Sequence, residues 1–449
     1  MGSIVVVGGG VAGLTCAWRL RRAGHEVVVF EREAVAGGRM RSERIATPRG
    51  DFVVDRGAQF VASGYRNLQR VVDALGLRSR LHPVAKTSNA VLRDGKLHPG
   101  DYGSLALFAR SRLLSSSAKL RLPRLLLELA RHRRSLDPYR PERAAAIDRE
   151  DLARGLTRIV GEEAAEYLFV PAFSSTFDAD PEDLSSAFAL LSARFVLSGF
   201  RLQAFDGGIG LLTQTLAEQV PVRTGCEVTA IETRADGARI TIRSRGPGGS
   251  GDREDRVFAD AVVVALPGSR VGGVVASLTP EEKSFFARVR YVRGMVCFLM
   301  TERAPETLPW YGVAFPRREE IGLYGIAVDH HKPRVAPAGA GLLNAALTAS
   351  VAERLQGAPD TAVVEHVVEA LARTPIGRLD PIATAVHRWD PMLPLFYAGY
   401  LPQLAAFHAR RERSPRLAFA GDYLIGPYTE MALTSGMRAA TGIARAVAG

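Results

Sequence analysis

The stretch IVVVGGGVAGL, residues 4–14, decides the fold, because an apolar run meets three consecutive glycines there. A short β-branched run that ends at glycine predicts a buried parallel strand. Apolar residues then recur on one helical face over residues 11–22, and residues 27–30 predict a second buried strand. Strand, glycine turn, helix and strand form a βαβ unit, so the sequence predicts an α/β fold.

The glycine spacing matches the pattern G-x-G-x-x-G, with Gly8, Gly10 and Gly13 as its three glycines. The first glycine permits the tight turn, the second lets a pyrophosphate approach the backbone, and the third lets helix and strand pack closely. The amides of Val11 and Ala12 then lie at the positive end of the helix. Glu31 follows the second strand, where a carboxylate accepts from ribose hydroxyls. These features predict a dinucleotide site; a purely structural glycine turn is the alternative.

Two more motifs follow, and a third closes the chain. AGGRMRS at residues 36–42 supplies a second close backbone approach and a cation for a pyrophosphate. DRGAQFV occupies residues 55–61, and LAFAGDYLIGPYTEMALTSGMRAA occupies residues 417–440. Together these motifs resemble the FAD-binding flavin amine oxidase superfamily, which includes monoamine and polyamine oxidases, protoporphyrinogen oxidases and carotenoid desaturases. The segments PAFSSTFDADPEDLSSAFALL (171–191) and AFDGGIGLLTQTL (204–216) look most like the protoporphyrinogen oxidase branch.

The resemblance implies a discontinuous Rossmann-type FAD-binding domain made of residues 1–80, 205–275 and 405–449. An α+β substrate-binding domain would comprise residues 81–204 and 276–404. Beyond the glycine motif and Glu31, the cofactor-binding residues implied are Arg32, Gly38, Arg39, Gly57, Ala58, Gln59, Phe60, Val228, Ala265, Gly421 and Asp422. No cysteine follows Cys297, so a thioether near the C-terminal motif is excluded and the FAD is expected to be non-covalent.

The C-terminal motif also has a physical interpretation. Asp422 ends a strand, where its carboxylate accepts from ribityl hydroxyls, and a helix begins near residues 429–430. The first helical amides, those of Glu430, Met431 and Ala432, are expected to face flavin N1 and O2. A helix N-terminus there stabilises the negative charge that two-electron reduction places on the ring. A plain strand–helix turn is the alternative for this segment.

Aromatic side chains are the candidates for substrate contact. In amine-oxidising members of the superfamily two rings enclose the amine, and Tyr428 falls at one such position. HRWDPMLPLFYAGY supplies further candidates near the flavin, Trp389, Tyr397 and Tyr400, of which Tyr397 or Tyr400 is a looser fit for the other ring. Ordinary core or interface packing is the alternative for each. These amine oxidases usually place a lysine near flavin N5, but the expected stretch, residues 289–300, holds no lysine.

Charge and composition bound the partners. The chain has 449 residues and a net charge of +11. Residues 101–143 contain ten basic and four acidic residues, and residues 105–136 mix leucines with arginines in a helical pattern. A peripheral contact with an anionic membrane and a solvated helix pair are the two interpretations. No nucleic-acid recognition motif accompanies the charge. Three widely spaced cysteines argue against a disulfide framework or zinc site and fit a reducing cytoplasm.

The sequence therefore predicts an FAD-dependent oxidase or dehydrogenase that removes a hydride from C–N or C–C bonds of an apolar or heterocyclic small molecule. An activity like that of protoporphyrinogen or coproporphyrinogen oxidases leads. An amine oxidase, or a tailoring oxidase or desaturase of secondary metabolism, is the alternative within the same chemistry. A redox-sensing module that binds FAD without turnover is the alternative from another class.

Overall fold

The computed structural model describes residues 2–100, 111–197, 201–245 and 252–448. Residues 105–110 of the predicted basic helical segment therefore lie outside the described residues. Within the described ranges, no helix combines the length and the apolar character needed to cross a membrane.

A five-stranded parallel sheet lies at the centre of the N-terminal fold. Its strand order is Val222–Arg223, Glu26–Phe30, Ser3–Val7, Ala261–Val264 and Leu417–Phe419. The central strand is nearly all β-branched and buried, as expected for a strand covered on both faces. Val7 pairs with both Phe30 and Val264, so three strands end level at the same carboxyl edge. The predicted α/β fold is confirmed.

Two helices meet beside this sheet. The N-terminal helix, Val11–Arg22, packs against the C-terminal helix, Thr429–Ala448. At their crossing, Gly436 lies directly against the Ala12 backbone, where any side chain would collide. The first and last elements of the chain are therefore in direct contact.

A three-stranded antiparallel sheet follows the N-terminal fold, formed by Cys226–Thr233, Ala238–Arg245 and Asp252–Ala259. The sequence pattern predicts one strand over residues 258–265, but the structure divides it at Asp260. The Asp260 carboxylate accepts from the Ser3 amide at 2.7 Å, and its own amide donates to the Ser3 carbonyl. This pairing ends the antiparallel strand and starts the parallel one.

A seven-stranded mixed sheet forms the second half of the molecule. Its strand order is Pro381–Trp389, Gly294–Thr301, Gly341–Leu347, Leu323–Val328, Gly312–Ala314, Asn89–Arg93 and Lys96–Pro99. The pairs are antiparallel except for the one between Gly312–Ala314 and Asn89–Arg93. The helix Asp360–Ala372 covers it and completes a separate hydrophobic core.

Smaller sheets join these halves: Ser42–Thr47 with Gly50–Asp55, and Val61–Ala62 with Leu202–Phe205 and Leu81–Pro83. The other α-helices are Arg66–Ala74, Ser116–Arg121, Pro123–Arg131, Leu152–Val160, Glu162–Ala164, Val170–Phe177, Ser186–Val196, Gly210–Glu218, Gly268–Val271, Pro280–Ala287, Ala349–Arg354 and Tyr400–Ala409. Short 3₁₀ or π turns occupy Arg78–Arg80, Pro141–Ile147, Ala165–Phe169, Pro181–Asp183, Arg317–Glu319, Asp329–His331 and Asp422–Leu424. In the basic segment the described residues form two short helices, because Pro123 interrupts the helical hydrogen bonds.

Candidate active site

The glycine turn lies at the carboxyl edge of the parallel sheet. Gly8 has a φ of +104°, and a Cβ there would lie 2.7 Å from the Ala265 carbonyl oxygen. A Cβ on Gly13 would lie 3.2 Å from the Gly8 carbonyl carbon and closer still to its oxygen. A Cβ on Gly10 would meet nothing within 4 Å, so the space in front of it is open. The first and third glycines thus allow close packing, whereas the second borders a space that a ligand can enter.

Glu31 is fixed beside this turn. Its carboxylate accepts from the Gly9 amide at 2.7 Å and from the Glu33 amide at 2.9 Å, and the residue is 8% exposed. The side chain of Arg32 instead pairs with Glu33 at 3.1 Å and is about half exposed. The geometry holds the Glu31 carboxylate at the strand end, as a ribose contact requires, but does not direct the Arg32 guanidinium toward the turn.

Arg39 and Asp422 join the two distant motifs. Arg39 Nη1 lies 2.8 Å from Asp422 Oδ2, and it also donates to the Met392 carbonyl. Burial lowers the pKa of Arg39, but the Asp422 carboxylate raises it further, with a net pKa above the ordinary value. The Arg39 side chain is 29% exposed, and a guanidinium has further donors with which it can bind an anion.

Glycine residues allow the segments 36–42 and 55–61 to pack closely around Arg39. Gly38 has a φ of +55° and faces the Gly10 backbone, which places the two glycine motifs side by side. The Ala58 amide donates to the Arg39 carbonyl at 2.9 Å. A Cβ on Gly57 would lie 3.3 Å from the carbonyl carbon of Arg39 and closer to its oxygen. Residues 57–58 therefore pack directly on the Arg39 backbone.

The turn after Asp422 is anchored from behind. The Asp422 carbonyl accepts from the amides of Ile425 and Gly426, and the Gly421 amide donates to Ser435 Oγ at 2.8 Å. The Tyr400 hydroxyl donates to the Tyr423 carbonyl at 2.9 Å. Tyr400 is 0% exposed, so in this structure its ring packs in the core and its hydroxyl supports the turn. Contact of Tyr400 with substrate stays a prediction.

The start of the C-terminal helix differs from the expectation. The amides of Met431 and Ala432 both donate to the Tyr428 carbonyl at 3.0 Å, so each already has an acceptor within the protein. Among the described residues the Glu430 amide has no such acceptor, so it is the one of the three predicted donors that stays available.

The Glu430 carboxylate has a structural role that the sequence did not reveal. It accepts from the amides of Asn67 and Leu68 at 2.9 and 2.8 Å, and from the Tyr139 hydroxyl at 2.7 Å. Both amides belong to the first turn of the helix Arg66–Ala74, so Glu430 caps that helix. Burial raises the pKa of Glu430.

Tyr428 follows the turn Asp422–Leu424 and is half-buried among aromatic side chains. Its ring lies edge-on to Phe177 and Phe195, with centroids 5.6 and 5.5 Å away. Burial raises the pKa of its phenol, so the ring stays neutral. A narrow cavity beside it is lined by Pro138, Pro141, Phe188, Leu191, Ser192, Phe195, Ile425 and Met431. The surroundings of Tyr428 are apolar and aromatic.

The other aromatic candidates are not brought to Tyr428. Trp389 Nε1 donates to the Arg56 carbonyl at 2.9 Å, and the Arg56 guanidinium lies 5.9 Å from the ring centroid. The Tyr397 hydroxyl donates to the Arg288 carbonyl at 2.9 Å. Within the described residues, neither ring makes an aromatic contact with Tyr428.

Three more predicted cofactor residues flank the turn. Val228 is buried in the strand Cys226–Thr233, whose first amide, of Cys226, donates to the Glu31 carbonyl. The Ala265 amide donates to the Val7 carbonyl, at the start of the turn. Phe60 lies edge-on to Tyr311, with ring centroids 6.4 Å apart. The structure thus places the start of the strand that contains Val228 beside Glu31, and Ala265 beside Gly8.

The residues at this edge fit a flavin dinucleotide. Open space borders Gly10 at a helix N-terminus, and Arg39, whose side chain is partly exposed, directly follows Gly38, which lies against Gly10. Glu31 and Asp422 offer carboxylates at two strand ends, where hydroxyl donors would meet them. Glu31 with the glycine turn would hold the adenosine and pyrophosphate, and Asp422 with the Glu430 amide would hold the flavin portion.

The comparisons with known proteins agree with this geometry. The chain matches the model of the flavin containing amine oxidoreductase family over residues 11–444, so it belongs to that family of FAD-binding oxidoreductases. Protoporphyrinogen oxidase 2 of Arabidopsis thaliana is 20% identical over 97% of this chain and 92% of its own.

Two further relatives are similar over nearly the whole length. Carotenoid phi-ring synthase of Streptomyces griseus is 29% identical over 98% of this chain and 87% of its own. The solved structure of cyclohexylamine oxidase from Brevibacterium oxydans superimposes with a TM-score of 0.74 at 19% identity, covering 100% of both chains. The likeness to that structure establishes the fold and leaves the substrate open.

Proposed function

We propose that this oxidoreductase binds FAD non-covalently and removes a hydride from C–N or C–C bonds of an apolar or heterocyclic substrate. The observation that carries the proposal is the 2.8 Å contact between Arg39 and Asp422, which joins the N-terminal and C-terminal motifs of the proposed cofactor site. Two of the three cysteines support non-covalent binding, since Cys16 and Cys297 are buried and burial raises the pKa of Cys297 to about 12; Cys226 is half-buried.

The protein would contribute orientation and the exclusion of water. FAD, when bound, supplies the two-electron acceptor. Tyr428, Phe177 and Phe195 form an apolar wall that would orient a flat substrate. The positive end of the C-terminal helix, at the Glu430 amide, would stabilise negative charge on the nearby part of the bound flavin.

The division of the chain into units is part of this proposal. Residues 1–80, 205–275 and 405–449 would form the cofactor unit, and residues 81–204 and 276–404 the substrate unit. The parallel sheet draws its strands from the first group and the mixed sheet from the second, which supports the division.

A porphyrinogen-type substrate leads, because protoporphyrinogen oxidase similarity extends over the full chain and the surround of Tyr428 is apolar. Anaerobic mixing of the purified flavoprotein with protoporphyrinogen, coproporphyrinogen and a panel of cyclic and aliphatic amines tests this through loss of flavin absorbance. Bleaching by a porphyrinogen supports it. Bleaching by amines alone would replace it with an amine oxidase, which the position of Tyr428 also favours. No bleaching by any compound would contradict both.

We also propose that the basic helix pair, formed by the helices Ser116–Arg121 and Pro123–Arg131, contacts an anionic membrane surface. Leu120, Leu126 and Leu127 are 81%, 60% and 68% exposed, although large apolar side chains are normally buried. Val196 and Leu197 are exposed as well, and Arg194 donates to the Arg133 carbonyl, which ties them to this pair. Apolar side chains among arginines are typical of an interfacial helix.

Flotation with vesicles containing anionic lipid tests the membrane proposal. The double substitution L126S/L127S should abolish binding, whereas F258S, at an exposed apolar residue on a distant strand, should leave it unchanged. Equal recovery of the wild-type protein with and without vesicles would refute the proposal.

A further inference from the structure

A buried lysine lies between the mixed sheet and the cofactor side of the molecule. Lys332 Nζ is 2.9 Å from Asp329 Oδ1 and 3.1 Å from Asp55 Oδ2. It also donates to Gln59 Oε1 at 2.9 Å. The side chains of Lys332, Asp329 and Asp55 are 1–2% exposed, so the ammonium is enclosed by these partners.

The partners of Lys332 come from two different parts of the fold. Asp329 follows the strand Leu323–Val328 of the mixed sheet. Asp55 ends the strand Gly50–Asp55, and its other oxygen accepts from the Ser42 hydroxyl and the Ile209 amide. The Lys332 ammonium therefore links the mixed sheet, at Asp329, to the strand end at Asp55 on the cofactor side of the molecule.

From Asp55, hydrogen bonds lead to the predicted cofactor-binding residues 57–59 and Arg39. Gln59 Nε2 donates to the carbonyls of Asp55 and Gly57 at 2.7 and 3.0 Å, so both ends of its amide are engaged. The next residue back, Ala58, donates to the Arg39 carbonyl. Phe60 also lies edge-on to Tyr311, which directly precedes the mixed-sheet strand Gly312–Ala314.

The charge balance favours a fixed ammonium. A buried cation is costly unless it is paired and hydrogen-bonded, and Lys332 has two carboxylates and an amide oxygen around it. Burial lowers the pKa of Lys332, but Asp329, Tyr311 and Asp55 raise it further, so the side chain stays protonated. Removing the ammonium would leave the Gln59 side chain without its partner at Oε1.

We propose that Lys332 is a positioning residue for the cofactor: through Gln59 it holds residues 57–60 against the Arg39 backbone and sets the orientation in which FAD binds. The proposal rests on the FAD binding proposed above. It assigns a role to a lysine outside residues 289–300, where the sequence lacks one. The role differs from that of a catalytic residue, since Lys332 acts through Gln59 and residues 57–58.

The test compares Lys332→Met with a matched loss of another buried ion pair. Arg410 and Glu282 lie 2.9 Å apart with side chains 8% and 4% exposed. Within the described residues, no hydrogen bond joins this pair to Arg39 or Gln59. Arg410→Met should therefore lower the melting temperature without moving the cofactor residues. The dissociation constant for FAD, from quenching of flavin fluorescence, and the visible circular dichroism of the bound flavin are measured for both.

Lys332→Met should weaken FAD binding at least about tenfold, the loss expected for one charged hydrogen bond, and change the flavin dichroism. Arg410→Met should stay within about twofold of the wild type. If the wild-type protein binds no FAD, the proposed function itself is refuted. Wild-type FAD affinity and dichroism in Lys332→Met would overturn the positioning role alone.

A second pair of variants keeps the test decisive if Lys332→Met does not fold. K332M/D329N removes the carboxylate that would otherwise be left unpaired, and Gln59→Leu removes the link without disturbing the ion pairs. Both should show the same loss of FAD affinity. Unchanged FAD affinity in both would overturn the proposal.

Discussion

Gly436 tests whether the contact between the first and last helices holds the cofactor site together. In Gly436→Ala, the added Cβ would lie 2.9 Å from the Ala12 carbonyl carbon and closer to its oxygen. Ordinary carbon contacts are about 3.5–4.0 Å, so the helices must separate by about 1 Å. Gly442 lies in the same C-terminal helix, is exposed, and has nothing within 4 Å of a Cβ, which makes Gly442→Ala a matched control.

The two substitutions should change stability in opposite directions. Alanine in place of glycine within a helix contributes about 1 kcal/mol, and Gly442→Ala should gain about that amount. Gly436→Ala gains the same term but suffers about 1–3 kcal/mol of overpacking against rigid backbone. We expect the free energy of unfolding of Gly436→Ala to lie about 1–3 kcal/mol below that of Gly442→Ala in urea titrations.

The same change should weaken FAD binding. Ala12 belongs to the first turn of the N-terminal helix, whose amides face the open space at Gly10. A shift of about 1 Å takes a hydrogen bond beyond its normal length. We expect a dissociation constant for FAD at least about tenfold higher in Gly436→Ala and unchanged in Gly442→Ala. Equal stability and equal FAD affinity in the two variants would refute the reasoning.

Three further predictions concern single side chains. Tyr428→Phe should keep the flavin reduction rate within about threefold, and Tyr428→Ala should lower it at least about tenfold, because the ring orients the substrate; stopped-flow absorbance decides, and equal rates in both variants would contradict the role. Asp422→Asn should cost about 1–3 kcal/mol in urea unfolding, since the partly exposed Arg39 loses its partner; wild-type stability would exclude a significant ion pair. Burial raises the pKa of Asp178 to about 7, so its stability contribution is present below about pH 4 and is lost as pH rises through 7. Asp178→Asn should thus melt higher than the wild type at pH 8, with a smaller difference at pH 5, and identical pH profiles would contradict the assignment.

The parts of the fold that the sequence predicted are those that local pattern controls. The glycine spacing and the β-branched runs predict the parallel sheet because they are local patterns: Gly13, for example, packs against the Gly8 carbonyl five residues before it. The proximity of Arg39 and Asp422 was expected from the resemblance of both motifs to one family, and the structure brings them to 2.8 Å. Physical pattern alone does not relate residues so far apart in the chain.

The features that were missed depend on long-range packing. Glu430 caps a helix through Asn67, 363 residues away, and Lys332 pairs with Asp55, 277 residues away. No periodicity links such positions. One signal did exist for Lys332, since the chain has only five lysines among 58 basic residues and this one follows Asp329-His330-His331. The complete burial of Tyr400 is likewise a tertiary property, which the local sequence pattern does not show.

The order of the strands in the parallel sheet has a consequence for synthesis. The strand Ala261–Val264 has its final neighbour, Leu417–Phe419, only after more than 150 further residues have been made. Until then it is an unprotected edge of fully apolar residues, the kind of surface on which unfinished chains aggregate. Asp422 and the helix Thr429–Ala448 follow this last strand, so the proposed flavin site is complete only after the end of the chain has been synthesised.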